Sequence, residues 1–337
     1  MQLRFQVVHF HSISGRSPFF NALFKEFREM EGLYYSKRTL ELRWLLLNFG
    51  VNTVLHFHRL RRFYHTGNAL TSFAKAFLFI LKILIARLIG YKVFWTIHNV
   101  IPLDSETTFL DLIIARFLRA VSDIIFIPNE SFEDWLKAYK KKVRLVPTPR
   151  FQDALFQGEL LEKKIARFQL NIPLDRNVIL FLGHVRKYKE IETLLSSMRI
   201  IGNKFKLYVV GRHWYEMAKT KVDNIVFVNK HFNGEEARVW LSACDVLVAT
   251  YNMRNFKYGI HAATPQLGMS SGVKTVTPFH IKGAKPKSMF IYESGNAVDL
   301  AMSIEKALGS NVLPEYCETI TWRKYAMENH CEYIKAF

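Results

Sequence analysis

The sequence predicts an α/β protein built from two doubly wound parallel sheets, and three features carry that expectation. Strand-like apolar runs alternate with helical patterns along almost the whole chain, the signature of parallel strands joined by crossover helices. The 337 residues exceed what one ordinary core supports and suit two domains of roughly 150 residues each. The alternation breaks once: Pro147-Thr148-Pro149 ends the first series, and a polar, mixed-charge stretch over residues 152–176 carries the chain across.

In the first half, runs rich in β-branched and aromatic residues predict strands near residues 3–10, 53–57, 92–97, 123–127 and 143–146, with helices near 19–30, 70–89, 107–120 and 132–139. The second half predicts strands near 178–182, 206–210, 225–227, 246–249 and 274–277, with helices near 191–198, 235–243 and 264–270. Residues 69–89 form the most membrane-like stretch, interrupted by Lys75, Lys82 and Arg87. A spanning helix needs about 20 nearly uncharged residues, so spanning is not expected. Thr71, Lys75 and Lys82 share one seam while Phe73, Phe77, Ile80 and Leu84 cover other faces. That pattern suits a helix largely buried against the sheet with one wet edge; the alternative is an interfacial membrane anchor.

Half of the residues are hydrophobic and 14% are aromatic, enough for packed cores and too apolar for disorder. The net charge of +18 and pI near 9.7 call for an anionic partner. Residues 1–100 hold 14 Lys and Arg against four Glu and no Asp, so most of the excess sits there. Arg59-Leu60-Arg61-Arg62 and Lys140-Lys141-Lys142 lack the interleaving of nucleic-acid modules, and no zinc-finger or RNA-recognition signature occurs; an anionic membrane face is the expected partner, not nucleic acid. Cys244, Cys317 and Cys331 are odd in number and widely spaced, which argues against a disulfide framework or zinc site and for a reducing cytoplasm. Residues 1–10 read as a strand without a cleavage-like region, so the expected location is cytoplasmic, peripheral on the inner face of the cell membrane.

The chemistry concentrates in Phe181-Leu182-Gly183-His184-Val185-Arg186-Lys187-Tyr188-Lys189, which follows a strand and leads into a helix. Gly183 allows the turn, the next helix aims backbone amides at an anion, and Arg186 with Lys189 neutralises phosphate oxygens, a set suited to a diphosphate. Competing nucleotide motifs are missing: His11-Ser12-Ile13-Ser14-Gly15-Arg16 follows the first strand in place of G-x-G-x-x-G, and there is no Walker loop and no Asp-x-Asp pair. Negative charge on a donor then falls to protein cations and helix ends. A second polar group, His98-Asn99, stands at the carboxyl end of a predicted parallel strand, where open α/β sheets place ligands. His9, His11, His56 and His58 gather at other strand ends. A metal site is weighed and not expected, since no Cys or carboxylate is placed to complete a shell. Acceptor-side hydrogen bonding is expected of His11 and His58, and plain burial of His9.

The turn at Gly183 closely resembles the F-x-G-x-x-R-x-Y-K segment that opens the donor domain of GT-B glycosyltransferases, especially the large retaining group of bacterial cell-surface polysaccharide enzymes that use UDP- or GDP-sugars. Along the chain, Asn21-Ala22-Leu23-Phe24, Val54-Leu55-His56-Phe57-His58, Trp95-Thr96-Ile97-His98-Asn99-Val100-Ile101-Pro102, residues 124–129, Ser242-Ala243-Cys244-Asp245-Val246-Leu247-Val248 and Ser271-Gly272-Val273-Lys274-Thr275-Val276 resemble that family's motifs in order. The resemblance implies a GT-B fold, two doubly wound Rossmann-like domains facing a central cleft. Residues 1–150 would be the acceptor-side domain, with a helix over 320–337 packing back on it, and 151–319 the donor domain.

It further implies that Gly183, Arg186 and Lys189 bind the donor diphosphate and that His98 acts in catalysis by contacting the sugar or the acceptor, with Asn99, His11, Gly15, Arg16 and His58 on the acceptor side. The paired glutamates that many retaining relatives carry in an E-x7-E arrangement fall on Gly259 and Leu267 here. The Lys257-Tyr258-Gly259 turn resembles divergent members, so backbone amides at 258–260 heading a helix, with Arg254, would take the diphosphate. Sugar identity and retaining or inverting stereochemistry stay open. Asp104 is either a carboxylate base for an inverting reaction or a helix N-cap. The expected function is hexose transfer from a UDP- or GDP-sugar to a lipid-linked or oligosaccharide acceptor, with the nucleotide-sugar as substrate, no cofactor and no metal. The alternatives are a nucleotide-sugar epimerase or hydrolase of the same fold, and a non-catalytic basic binding protein.

Overall fold

The computed structural model describes residues 5–10, 18–37, 39–103, 108–156, 158–214, 223–279, 287–312 and 321–337. The chain divides into two compact units, one of Met1–Pro149, Tyr258–His261 and Ile320–Phe337, the other of Arg150–Lys257 and Ala262–Thr319.

The first unit runs β1 (Phe5–Phe10), α1 (Pro18–Phe27), β2 (Leu33–Lys37), α2 (Leu42–Leu47), β3 (Asn52–Phe57), α3 (Ala69–Leu88), β4 (Lys92–Thr96), α4 (Phe109–Val121), β5 (Ile124–Ile127), α5 (Glu133–Leu136) and β6 (Val143–Leu145). All six strands are parallel, in the order β2-β1-β3-β4-β5-β6. Successive strand residues point to opposite faces. Val8, Phe10, Leu55, Phe57, Val93 and Trp95 therefore face one core with Phe79 and Ile83 of α3 and Ile114 and Leu118 of α4. His9, His56 and Thr96 fall on the other face. Strand β2, absent from the sequence expectation, is an edge strand with partly exposed residues throughout, so its Leu-Tyr-Tyr-Ser-Lys run lacks a clean apolar pattern.

The second unit begins with two short helices, α6 (Phe151–Leu155) and α7 (Lys163–Gln169). It continues through β7 (Asn177–Leu182), α8 (Ile191–Ile201), β8 (Phe205–Val210), β9 (Ile225–Val228), α9 (Gly234–Ala243), β10 (Val246–Val248), α10 (Ala263–Ser270), β11 (Thr275–Thr277), β12 (Met289–Ile291) and α11 (Ala297–Gly309). Its parallel order is β12-β11-β10-β7-β8-β9. Ile179 and Phe181 join one core with α8 and α11, while Val178, Leu180 and Leu182 join another with α7 and α9. Strand β7 lies at the switch point between β8 and β10, where open α/β sheets present a crevice at their carboxyl ends.

Two sequence expectations change here. The turn Tyr258–His261, placed by sequence in the second domain, belongs to the first unit. Helix α3 is not largely buried: only Ser72, Ala76, Phe79, Ile83 and Ala86 are, and Phe73, Phe77 and Leu84 are exposed. The cap of α4 is Thr108, whose side chain accepts from the Asp111 amide while Asp111 accepts from the Thr108 amide. The final helix, α12 (Trp322–Lys335), packs on α1 within the first unit.

Candidate functional site

Gly183 ends β7 at φ +131°, a backbone region closed to residues with a β-carbon. A Cβ there would lie 2.8 Å from Lys189 Nζ and 3.6 Å from Thr264 Oγ1, so the space a side chain would need is taken by the lysine ammonium, beside the first turn of α10. Lys189 is only 7% exposed, its ammonium lying over the rings of Phe181 and Tyr251. Its carbonyl accepts from Thr250 Oγ1, and the neighbouring Tyr188 carbonyl accepts from the Asn252 amide at 2.8 Å. These bonds hold the turn 187–189 against the loop that carries Arg254, which is exposed.

The chain leaving β7 also pairs with the chain leaving β8. The Val185 amide donates to the Arg212 carbonyl at 3.0 Å and the Trp214 amide to the Val185 carbonyl at 3.1 Å. Arg186 and Arg212 consequently both cover the Trp214 ring, at 4.4 and 4.8 Å from its centroid. Arg212 Nη1 lies 3.0 Å from His231 Nε2. His184 stands edge-on to both Trp214 and His231. Burial, then the positive charges of Arg186, Lys189, His231 and Arg212, push its pKa down to about 4. Every charge acting on His184 is positive, which is the field an anionic diphosphate requires. Beside this turn, Glu190 adopts a left-handed conformation, φ 42°, with its carboxylate held by Ser294 Oγ at 3.2 Å and the Gly295 amide at 3.0 Å. Burial raises its pKa.

In the first unit a chain of histidines crosses the face opposite the main core. His9 Nδ1 lies 3.1 Å from His58 Nε2, and His58 Nδ1 lies 3.4 Å from His98 Nε2. The His98 ring stacks on His261 at 5.5 Å and meets Phe19 edge-on; His261 Nε2 is 3.0 Å from Thr148 Oγ1. His56 sits between Tyr333 Oη, 2.6 Å from Nδ1, and Thr96 Oγ1, 2.7 Å from Nε2. Burial, followed by the charges of His9 and His98, lowers its pKa far below the ordinary value.

His9, His56 and His58 bring one ring nitrogen each within 4.8 Å of one another, the spacing of a possible metal site. Both nitrogens of His56 and of His58 are already hydrogen-bonded, and the rings are 0–3% exposed. The donor set is that of a hydrogen-bonded chain, and a metal would have to displace those bonds.

The sequence-predicted residues separate accordingly. Gly183, Arg186 and Lys189 share one turn. Arg254 is near enough to act on Glu190 electrostatically. Tyr258 and Gly259 do not head a helix, since α10 starts at Ala263. Tyr258 packs on Trp135, and a Cβ on Gly259, at φ +116°, would strike the Phe132 ring at 2.4 Å. The next amide, of Ile260, donates to Ser131 Oγ. His58 cannot serve an acceptor directly: it is 3% exposed and engaged on both sides. His98 is half-buried and Asn99 exposed just past β4. His11, Gly15, Arg16 and Asp104 lie outside the described residues. Arg212, Trp214, His231, Thr264, Glu190 and His261 were not anticipated. Gly211-Arg212-His213-Trp214, a second glycine and cation after a strand, was the available signal.

Residues 176–310 match the family described as "Glycosyl transferases group 1". No curated protein matches the sequence. Solved structures share the fold over nearly the whole chain. Sucrose-phosphate synthase from Thermosynechococcus elongatus is 14% identical with a TM-score of 0.65, covering 98% of this chain and 99% of that one. Anabaena Alr3699/HepE in complex with UDP and glucose is 9% identical with a TM-score of 0.63, over 99% and 97% of the two chains. A putative UDP-N-acetylglucosamine 2-epimerase from Listeria monocytogenes is 11% identical with a TM-score of 0.56, over 98% and 97%. The fold is GT-B.

Proposed function

We propose that the protein is a glycosyltransferase that moves a hexose from a UDP- or GDP-sugar to a lipid-linked or oligosaccharide acceptor in surface polysaccharide synthesis, working at the cytoplasmic face of a membrane. The observation that carries this reading is the electropositive turn at Gly183, supported by the group 1 glycosyltransferase match over residues 176–310. The diphosphate sits at the Gly183 turn, with Lys189 and Arg186 countering the charge that builds as the bond between the sugar and the leaving group breaks. The first turn of α10 adds backbone amides at the same place. His98 contacts the sugar or acceptor hydroxyls, its ring orientation held by His58 and His261. The reaction needs no metal, since the donor's charge is met by side-chain cations.

The test is turnover of UDP- and GDP-hexoses against a panel of lipid-linked and oligosaccharide acceptors, with and without chelator. Acceptor-dependent release of the nucleoside diphosphate supports transfer. Equal turnover without acceptor assigns the chain to the epimerase or hydrolase reading, which the fold shared with the Listeria protein favours. Nucleotide binding with no turnover on any acceptor assigns it to a non-catalytic binding role. Loss of activity in EDTA that magnesium restores would overturn metal independence.

A further inference from the structure

Helix α3 is apolar on two opposite faces, and only one of them packs in the protein core. Ser72, Ala76, Phe79, Ile83 and Ala86 are buried. Half a turn away, Leu70, Phe73, Phe77, Leu81, Leu84 and Leu88 are exposed by 41–85%. Their spacing of three or four residues keeps them on one stripe about 27 Å long at 1.5 Å per residue. A soluble surface rarely carries so continuous an apolar patch unless something covers it. One edge of the stripe is basic, with Lys75 and Lys82 running along it beside Thr71; Arg87 on the other edge pairs with Asp123, and the helix itself has no acidic residue. Leu46, Leu47 and Phe49, also exposed, lie on or just after α2, which Tyr91 ties to the end of α3 by donating to the Leu45 carbonyl at 2.7 Å.

We propose that α3 lies in the plane of an anionic bilayer, with the Leu70–Leu88 stripe in the acyl boundary and Lys75 and Lys82 reaching back to the headgroups. Charge complementarity selects this occupant. Residues 1–100 carry 14 Lys and Arg against four Glu and no Asp, so a second copy seated on the stripe would bring a like-charged surface, whereas anionic headgroups bring the opposite sign. The helix does not span, because its other face is a wall of the core and leaving would strip Phe79 and Ile83 of their packing. An amphipathic helix with long basic side chains along an edge is the form that lies in an interface. The inference deepens the membrane contact of the proposed function and rests on that contact alone, since no donor or acceptor enters it.

Flotation of the full-length protein with vesicles of phosphatidylcholine and phosphatidylglycerol, against phosphatidylcholine alone, tests it without any substrate. Wild type is expected to float with the mixed vesicles at about 0.1 M salt and in part at about 1 M, where the screening length falls to about 3 Å and apolar insertion remains. Combining Phe73→Ser, Phe77→Ser and Leu84→Ser lowers the bound fraction at least tenfold at both salts, with the thermal unfolding midpoint kept because these side chains are exposed. Lys75→Glu with Lys82→Glu lowers binding at low salt alone. A wild type that does not float, or a triple-serine variant that floats equally well, overturns the proposal. So does a wild-type dimer in light scattering that the serine variant converts to monomer, since the stripe would then seat a second copy. Failure here with acceptor-dependent transfer intact would remove the surface and leave the reaction standing.

Discussion

Replacing Lys189 by methionine removes one cation from the Gly183 turn while keeping an unbranched stem in the same space. The ammonium is 5.1 Å from the centroid of Phe181 and 5.8 Å from that of Tyr251, and it sits 2.8 Å from where a Gly183 Cβ would be. A diphosphate bound at the Gly183 turn would take this ammonium as a counter-charge. A hydrogen bond between charged groups contributes about 1.5–3 kcal/mol. The dissociation constant for UDP or GDP should accordingly weaken about 10- to 150-fold, at 1.4 kcal/mol per decade. Stability should change by less than about 1 kcal/mol, because the lost ring contacts are offset by relief of a desolvated charge. Calorimetric titration with UDP and with GDP, beside thermal unfolding of the same samples, measures both. Wild-type affinity in Lys189→Met and also in Arg186→Ala would refute the diphosphate assignment.

His98→Ala should lower transfer at least about tenfold while nucleotide affinity holds, since its contacts are with His58, Phe19 and His261; steady-state kinetics beside calorimetry separates the two. Gly183→Ala forces a β-carbon into φ +131° against Lys189, and should cost about 1–3 kcal/mol in urea unfolding as well as diphosphate affinity. Tyr333→Phe leaves His56 Nδ1 without its hydroxyl in a fully buried site, a loss of about 1–3 kcal/mol in the same assay. His184 titrates near 4 when folded and near 6.5 when unfolded, so the unfolded chain binds more protons between those values. Its contribution is intact above pH 6.5 and is lost as pH falls toward 4; His184→Gln should flatten that part of the stability profile, and an unchanged slope would show that the ring is not held neutral.

The central strands were legible in the sequence because each is buried on both faces, and such strands read as short apolar runs whatever their partners. Edge strands β2 and β12 were not, since one side of each faces solvent and their patterns blur into loop. The donor turn was legible for a related reason: Gly183, Arg186 and Lys189 are contiguous, so local spacing already places a glycine and two cations at one strand end. Arg212, His231 and Thr264 reach the same place from other strand ends, and only the β7–β8 pairing and the position of α10 bring them there. Spacing put His56 and His58 on one strand face. Whether they met solvent or protein depended on α1 and on α12, a helix from the far end of the chain that closes over His56 with Tyr333. Tyr258 and Gly259 crossed to the first unit for the same reason, through contacts with Trp135 and Phe132 more than a hundred residues earlier. The apolar content of α3 was fixed by its residues, but an apolar side chain carries no mark of which neighbour will cover it. Composition determined that the helix had two apolar faces; the sheet, by occupying one of them, decided which was left outside.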